Sequence, residues 1–152
     1  MKKTFSLYSI LILLMFSALS ISSCRNHEDT VSCFPSVPIN VTLNLNLAGY
    51  YHLQNIGGWM YIDELQSGTR GLIVVRTNNI NTPFLVFDRN APHLCPDSNT
   101  TLEVKDGFKI ICPKDGAEWM LLTGEPIAVS PVRPKMYQTQ YNPSTNTLSI
   151  YY

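Results

Sequence analysis

From residue 39 to residue 47, apolar and polar side chains alternate without a break. Ile39, Val41, Leu43, Leu45 and Leu47 fall on one side; Asn40, Thr42, Asn44 and Asn46 fall on the other. A period of two sends successive side chains to opposite faces of an extended backbone, so this stretch predicts a strand with one buried face. Such a strand needs partners for its edges and a second layer for its apolar face, and the remaining sequence supplies both. Trp59-Met60-Tyr61-Ile62 follows a turn at Asn55-Ile56-Gly57-Gly58, and Tyr50 to Leu53 forms another short run before it. Leu72-Ile73-Val74-Val75 and Phe84-Leu85-Val86-Phe87 are β-branched or aromatic and too short for helices. Thr101 to Val104 and Phe108 to Cys112 flank Asp106-Gly107, a hairpin signal. Trp119 to Leu122 precedes a turn at Thr123-Gly124-Glu125-Pro126. Met136 to Tyr141 and Thr147 to Tyr152 close the chain around Asn142 to Asn146. About nine short strands separated by regular turns predict an all-β fold, an antiparallel sandwich or small barrel, over residues 39–152.

The N-terminus has a different logic. Lys2 and Lys3 precede an apolar run from Phe5 to Leu19, which is short for a membrane span and fits the core of an export signal. The run ends in Ile21-Ser22-Ser23-Cys24. This resembles the lipobox of bacterial lipoproteins, in which cleavage leaves an acylated cysteine as the first residue. The resemblance implies a signal peptide over 1–23, lipid attachment at Cys24 and anchoring in a membrane outside the cytoplasm, with the outer membrane of a bacterial envelope as the first expectation. Acyl chains hold firmly because each buried methylene contributes about 0.8 kcal/mol. Residues 24–38, polar and aperiodic with Pro35 and Pro38 near their end, read as the lipidated tether.

Without Lys2 and Lys3, 9 basic side chains face 11 acidic ones, so a basic nucleic-acid surface is not expected. Of the four cysteines, removing Cys24 leaves Cys33, Cys95 and Cys112, an odd number in an oxidising compartment. Cys95 and Cys112 both lie in the folded region, so they are the expected disulfide, with Cys33 spare in the tether.

Two loops concentrate the remaining chemistry. One is Asp88-Arg89-Asn90-Ala91-Pro92-His93-Leu94-Cys95-Pro96. The other is Cys112-Pro113-Lys114-Asp115-Gly116-Ala117, followed by Trp119 and the Thr123-Gly124-Glu125-Pro126 turn. In this order they resemble the Rieske-type ferredoxin domain, which carries Cys-x-His in one loop, Cys-Pro-x-His-Gly in the next, and then Thr-Gly-x-Pro. Gly68 to Val74 adds a likeness to the lipoprotein branch of that family. The resemblance spans roughly residues 50–152 and implies a Rieske-like β domain with a two-loop, cluster-binding-like subdomain.

The family's [2Fe–2S] centre takes two thiolates on one iron and two imidazoles on the other. Set on the family pattern, Ala91 stands at the first thiolate position and His93 at the first imidazole. Cys112 stands at the second thiolate, and Asp115 at the second imidazole. Two of four ligands remain, so neither a cluster nor another metal is expected, and the reading is a non-catalytic binding or structural protein of the cell envelope. An alternative set of His93, Cys95, Cys112 and Asp115 formally supplies four ligands for zinc or a single iron, which would keep a redox or metal-binding role. A third reading, a carbohydrate- or peptide-binding accessory lipoprotein, rests on the surface anchor and on Tyr50, Tyr51, Tyr137, Tyr141, Tyr151 and Tyr152 as a stacking surface. The membrane is the one expected partner; a protein or glycan partner stays open.

Enzyme signals are sparse. No Gly-x-Ser-x-Gly elbow and no phosphate-cradling glycine loop occurs. Glu118 and Glu125 could form a carboxylate pair, but nothing in the sequence sets their separation. His52, beside two tyrosines, reads as half-buried structure, and His27 lies in the tether.

Overall fold

The computed structural model describes residues 30–152. The signal peptide, Cys24, His27 and the first part of the tether lie outside the described residues. Ten strands pair only in the antiparallel sense, in three sheets. The first sheet has the order β1-β10-β9, from β1 (Asn40–Asn44), β9 (Gln138–Asn142) and β10 (Thr147–Tyr151). The second is β2-β3-β4, from β2 (Trp59–Ile62), β3 (Leu72–Arg76) and β4 (Phe84–Asp88). The third is β5-β6-β7-β8, from β5 (Glu103–Lys105), β6 (Lys109–Ile111), β7 (Glu118–Met120) and β8 (Pro126–Ala128). Among the described residues no helix is long and apolar enough to cross a membrane.

The three sheets enclose two cores, and the alternation along β3 explains why. Leu72 and Val74 enter the core shared with the first sheet, beside Val41, Leu43, Leu148 and Ile150. Ile73 and Val75 enter the core shared with the third sheet, beside Ile110, Trp119 and Leu121. All four are fully buried. A strand covered on both faces loses the polar half of its alternation, which is why residues 72–75 read as an unbroken apolar run. β4 divides in the same way, with Phe84 and Val86 on one side and Phe87 on the other. The middle sheet is therefore the frame on which both other sheets rest.

β1 follows the 39–47 alternation as far as Leu45. Leu47 is exposed instead, because the chain has already turned into a 3-10 helix, Ala48–Gln54. The short run from Tyr50 to Leu53 is thus helical, not a strand. It buries only Leu53, so no period of two is present there to hold it extended. His52 is exposed and stacks on Tyr51 rather than lying half-buried. β8 emerges from the end of the Thr123–Pro126 turn as an edge strand, the place where a proline within a sheet is tolerated. That turn needs its glycine twice over. Gly124 has φ +70°, and a Cβ there would meet the Phe87 ring at 2.8 Å.

The described part of the segment read as a tether is fastened to the body. Cys33 is disulfide-bonded to Cys95, and the Val31 N–H donates to the Pro92 carbonyl at 2.9 Å. The expected Cys95–Cys112 bridge does not form. Cys112 faces inward into the core of the third sheet, fully buried and free, whereas Cys95 lies on the exposed side of its loop, within reach of residue 33.

Candidate functional site

Both loops of interest emerge at one end of the middle and third sheets. The first continues β4 past Asp88, and the second joins β6 to β7. The base of the first loop is a buried polar network. One oxygen of Asp88 accepts the Asn90 backbone N–H at 2.6 Å and the Asn90 amide at 2.8 Å. Its other oxygen accepts the Tyr137 hydroxyl at 2.6 Å. Burial first, and then the neighbouring Asp88 carboxylate, push the Tyr137 hydroxyl far above its ordinary value, so it remains a donor. The Asn90 amide also donates to Thr69. Residues 89–91 then run back along residues 100–102, with the Leu102 N–H donating to the Arg89 carbonyl at 2.7 Å. Ala91 thereby enters the core, 1% exposed.

The second loop is tight. The Gly116 N–H donates to the Cys112 carbonyl and the Cys112 N–H to the Ala117 carbonyl, both at 2.9 Å. Burial pushes the Cys112 thiol up, more than the Lys114 and Asp115 backbone N–H groups near the sulfur lower it. The thiol therefore keeps its proton at neutral pH and donates it toward the Asp115 carboxylate. A protonated buried thiol is a poor nucleophile.

The two loops meet. His93 Nε2 and Asp115 Oδ2 are 2.6 Å apart, and the other Asp115 oxygen accepts the Ala117 N–H at 3.1 Å. Burial by itself would raise the Asp115 carboxyl. The hydrogen bonds from His93, the Ala117 N–H and the Cys112 thiol together outweigh it and hold the group below the usual carboxylate range. The His93 ring leans on the buried Trp119 indole, centroid to centroid 5.6 Å, and Nδ1 is buried with no partner among the described residues. An ion pair between Lys114 and Asp97 adds a second link between the loops, and the Lys114 ammonium holds the Asp97 carboxyl down. Arg70 braces the same region by donating to the Asp97 carbonyl at 2.6 Å and to the Thr101 hydroxyl.

The structure therefore brings together Ala91, His93, Cys112 and Asp115, the positions singled out in sequence. It removes Cys95 from the alternative metal set, since that sulfur is bonded to Cys33. Among the described residues no group of three or more His, Cys, Asp or Glu side chains is arranged to hold a metal ion. Glu118 and Glu125 do not act as a pair, because each is matched to its own cation: Glu118 to Lys109 at 2.7 Å and Glu125 to Arg133. Sequence reasoning placed Asp88 in the loop without a role, took Tyr137 for part of a stacking surface although it is buried against Asp88, and missed Thr69; no spacing rule reveals these contacts.

No protein-family model matches the chain, and no curated protein matches its sequence. One solved structure, described as an NADH-dependent nitrite reductase small subunit from Mycobacterium tuberculosis, is similar to it. The likeness covers 77% of this chain and 97% of that one, at 11% identity and a TM-score of 0.43.

Proposed function

We propose that this chain is an exported, lipid-anchored β domain of Rieske-like architecture that carries no iron–sulfur cluster and acts as a non-catalytic binding or structural component of the bacterial cell envelope. The observation that carries the reading is the 2.6 Å contact between His93 Nε2 and Asp115 Oδ2. In the family pattern these two positions would each present an imidazole to one iron, with the metal between them. Here they are bonded to one another, which leaves no space for a metal ion between the two groups. The other half of the ligand set agrees. The Ala91 methyl cannot ligate, which leaves Cys112 as the one thiol of the pattern. The residues present do not fit a [2Fe–2S] centre, so no electron-transfer step is assigned to them.

Export is supported by the signal-like N-terminus and, independently, by the Cys33–Cys95 disulfide, which is at home in an oxidising compartment. The chain is then held to the membrane through the lipid on Cys24, with the tether fastened again at Cys33.

The test is metal analysis and an absorption spectrum on the processed chain, purified with and without oxygen, together with a thiol count. The expected protein is colourless and metal-free, with one thiol that reacts only after unfolding and is lost in Cys112→Ser. Two irons per chain, or metal lost in Cys112→Ala, would overturn the reading. Labelled fatty acid should enter the chain and fail to enter Cys24→Ala.

A further inference from the structure

At the end of β3 and β4 opposite the two loops lies a groove of about 510 Å³, within the range of roughly 300–1,000 Å³ usual for small-ligand sites. Arg76 is among the residues that line it. The alternation that sends Leu72 and Val74 into the first core sends the residue-76 side chain to the mouth of that core, between aromatic rings. Its guanidinium carbon lies 4.5 Å from the Phe84 ring centre and 5.1 Å from that of Tyr141. The two rings meet edge to face at 5.1 Å, and the Tyr141 hydroxyl is tied to Asn146 at 2.9 Å. The guanidinium is therefore oriented before anything binds. Among the described residues no carboxylate pairs with it. The groove lining contains no Asp or Glu, so Arg76 is its one charge.

What lines the rest decides the ligand. Most backbone donors of the 77–82 segment are already used, and among the described residues those of Asn78 and Ile80 are not. The Thr77 N–H goes to the Pro83 carbonyl, the Asn79 N–H to the Thr77 hydroxyl, and the Asn81 and Thr82 N–H groups to the Asn79 side chain. Capture of a peptide's terminal carboxylate relies on successive free backbone N–H groups, and the two left here are separated by the Asn79 N–H, which is bonded to the Thr77 hydroxyl. The groove presents the side-chain amides of Asn78, Asn79 and Asn81 and the Thr82 hydroxyl instead, together with the Tyr141 ring and Ile80, which is 94% exposed. The Thr77, Thr139 and Tyr141 hydroxyls are bonded within the protein. One fixed cation, several neutral hydrogen-bonding side chains and an apolar rim match a carboxylate set among hydroxyls on a ring with an apolar face. We infer that this groove binds an acidic saccharide, with Arg76 forking onto its carboxylate and the amides reading its hydroxyls. The inference does not depend on whether the opposite loops hold metal.

The test uses the processed chain in detergent and three probes: tetragalacturonate, the neutral maltotetraose, and a pentapeptide with a free C-terminal carboxylate. Titration is followed by calorimetry and by amide NMR. Expected are saturable binding of tetragalacturonate alone, amide shifts confined to residues 76–83 and 139–143, and an affinity lower by about tenfold or more in Arg76→Met. That variant keeps the stem that packs on the rings while removing the charge. Arg76→Lys, which keeps the charge and loses the fork, should retain only part of the affinity. If Arg76→Met does not fold, Asn81→Ala on the exposed loop replaces it, with a severalfold loss expected. No binding by the folded protein, equal binding of the neutral tetrasaccharide, preference for the peptide, or unchanged affinity in these variants would overturn the proposal.

Discussion

The β3–β4 pair ends in two different ways, and the contrast separates what the fold has closed from what it leaves open. Leu72 pairs with Asp88 at one end and Arg76 with Phe84 at the other, four residues of extended chain and roughly 13 Å away. At the Asp88 end the charged groups find protein partners, Asp88 with Asn90 and Tyr137, Asp115 with His93, and Lys114 with Asp97. The two buried atoms left without one among the described residues, Asn90 Oδ1 and His93 Nδ1, are neutral. At the Arg76 end a charge is oriented and left without a counter-ion among the described residues. Saturated polar groups rigidify a structure, whereas an oriented, unpaired one is what a ligand can use. The sequence draws attention to the first end, because cysteine, histidine and proline cluster there. The unpaired charge lies at the second.

The largest expected effect tests that division by truncation. Trp119 is fully buried beneath both loops, and its Nε1 donates to the Val132 carbonyl at 2.8 Å. Trp119→Ala is expected to cost about 3–5 kcal/mol in urea unfolding, as large aromatic deletions from closed cores do. Tyr141→Ala at the groove removes a half-buried ring and is expected to cost about 1–2 kcal/mol. Equal costs would mean the groove ring is core rather than lining, and the contrast between the ends would fail.

The next effect comes from the disulfide, which is attached at the loop end. Cys33 and Cys95 are separated by 62 residues, and closing a loop of that order typically stabilises by about 2–4 kcal/mol through the unfolded chain. Cys33→Ser should lower stability by that amount. It should also speed amide exchange at residues 92–97, next to Cys95 and the Val31 contact, by more than the loss of global stability explains, while residues 76–83 accelerate by no more than that loss. Uniform faster exchange at both ends would show that the bridge holds the whole domain rather than the loop end.

Legibility in the sequence divides along physical lines. Strands with a clean period, such as β1, or a run bounded by turns, such as β3, β4 and the β5–β6 hairpin, could be read because their burial is periodic or continuous. The 3-10 helix Ala48–Gln54 could not, since one buried residue, Leu53, carries no period. β8 was hidden by Pro126, which reads as a turn residue and is allowed in a strand only at an edge. The positions of Ala91, His93, Cys112 and Asp115 were legible through motif order, and the loops that carry them do meet. Their chemistry was not, because it depends on which partner each atom faces. The disulfide was misread for the same reason. Cys33 sits in a polar segment that looks like tether, and no spacing rule shows that it folds back on Cys95. Arg76 carried no motif at all; its clue was an arginine closing an otherwise apolar strand.

The smallest expected effect concerns Asp115, and its sign follows from its carboxyl being held below the ordinary value of 3.8. A group with a depressed folded pKa stabilises the fold above its unfolded value, and that contribution disappears as pH falls through the folded one. The wild-type chain should therefore lose stability below about pH 4, and Asp115→Asn should flatten that acid limb. At neutral pH the same variant reverses the proton on the imidazole. The carboxylate keeps a proton on His93 Nε2. An asparagine that turns its amide N–H toward Nε2, leaving its oxygen on the Ala117 N–H, requires the proton to sit on Nδ1. That atom is buried and without a partner among the described residues. The variant therefore exchanges an unsatisfied acceptor for an unsatisfied donor and replaces a charge-assisted bond with a neutral one, and should cost about 1 kcal/mol at pH 7. Imidazole nitrogen shifts report the tautomer directly. A proton that stays on Nε2 in Asp115→Asn, with an unchanged acid limb, would mean that the His93–Asp115 contact does not hold the loops together, and the loop end would then be as open to a ligand as the groove.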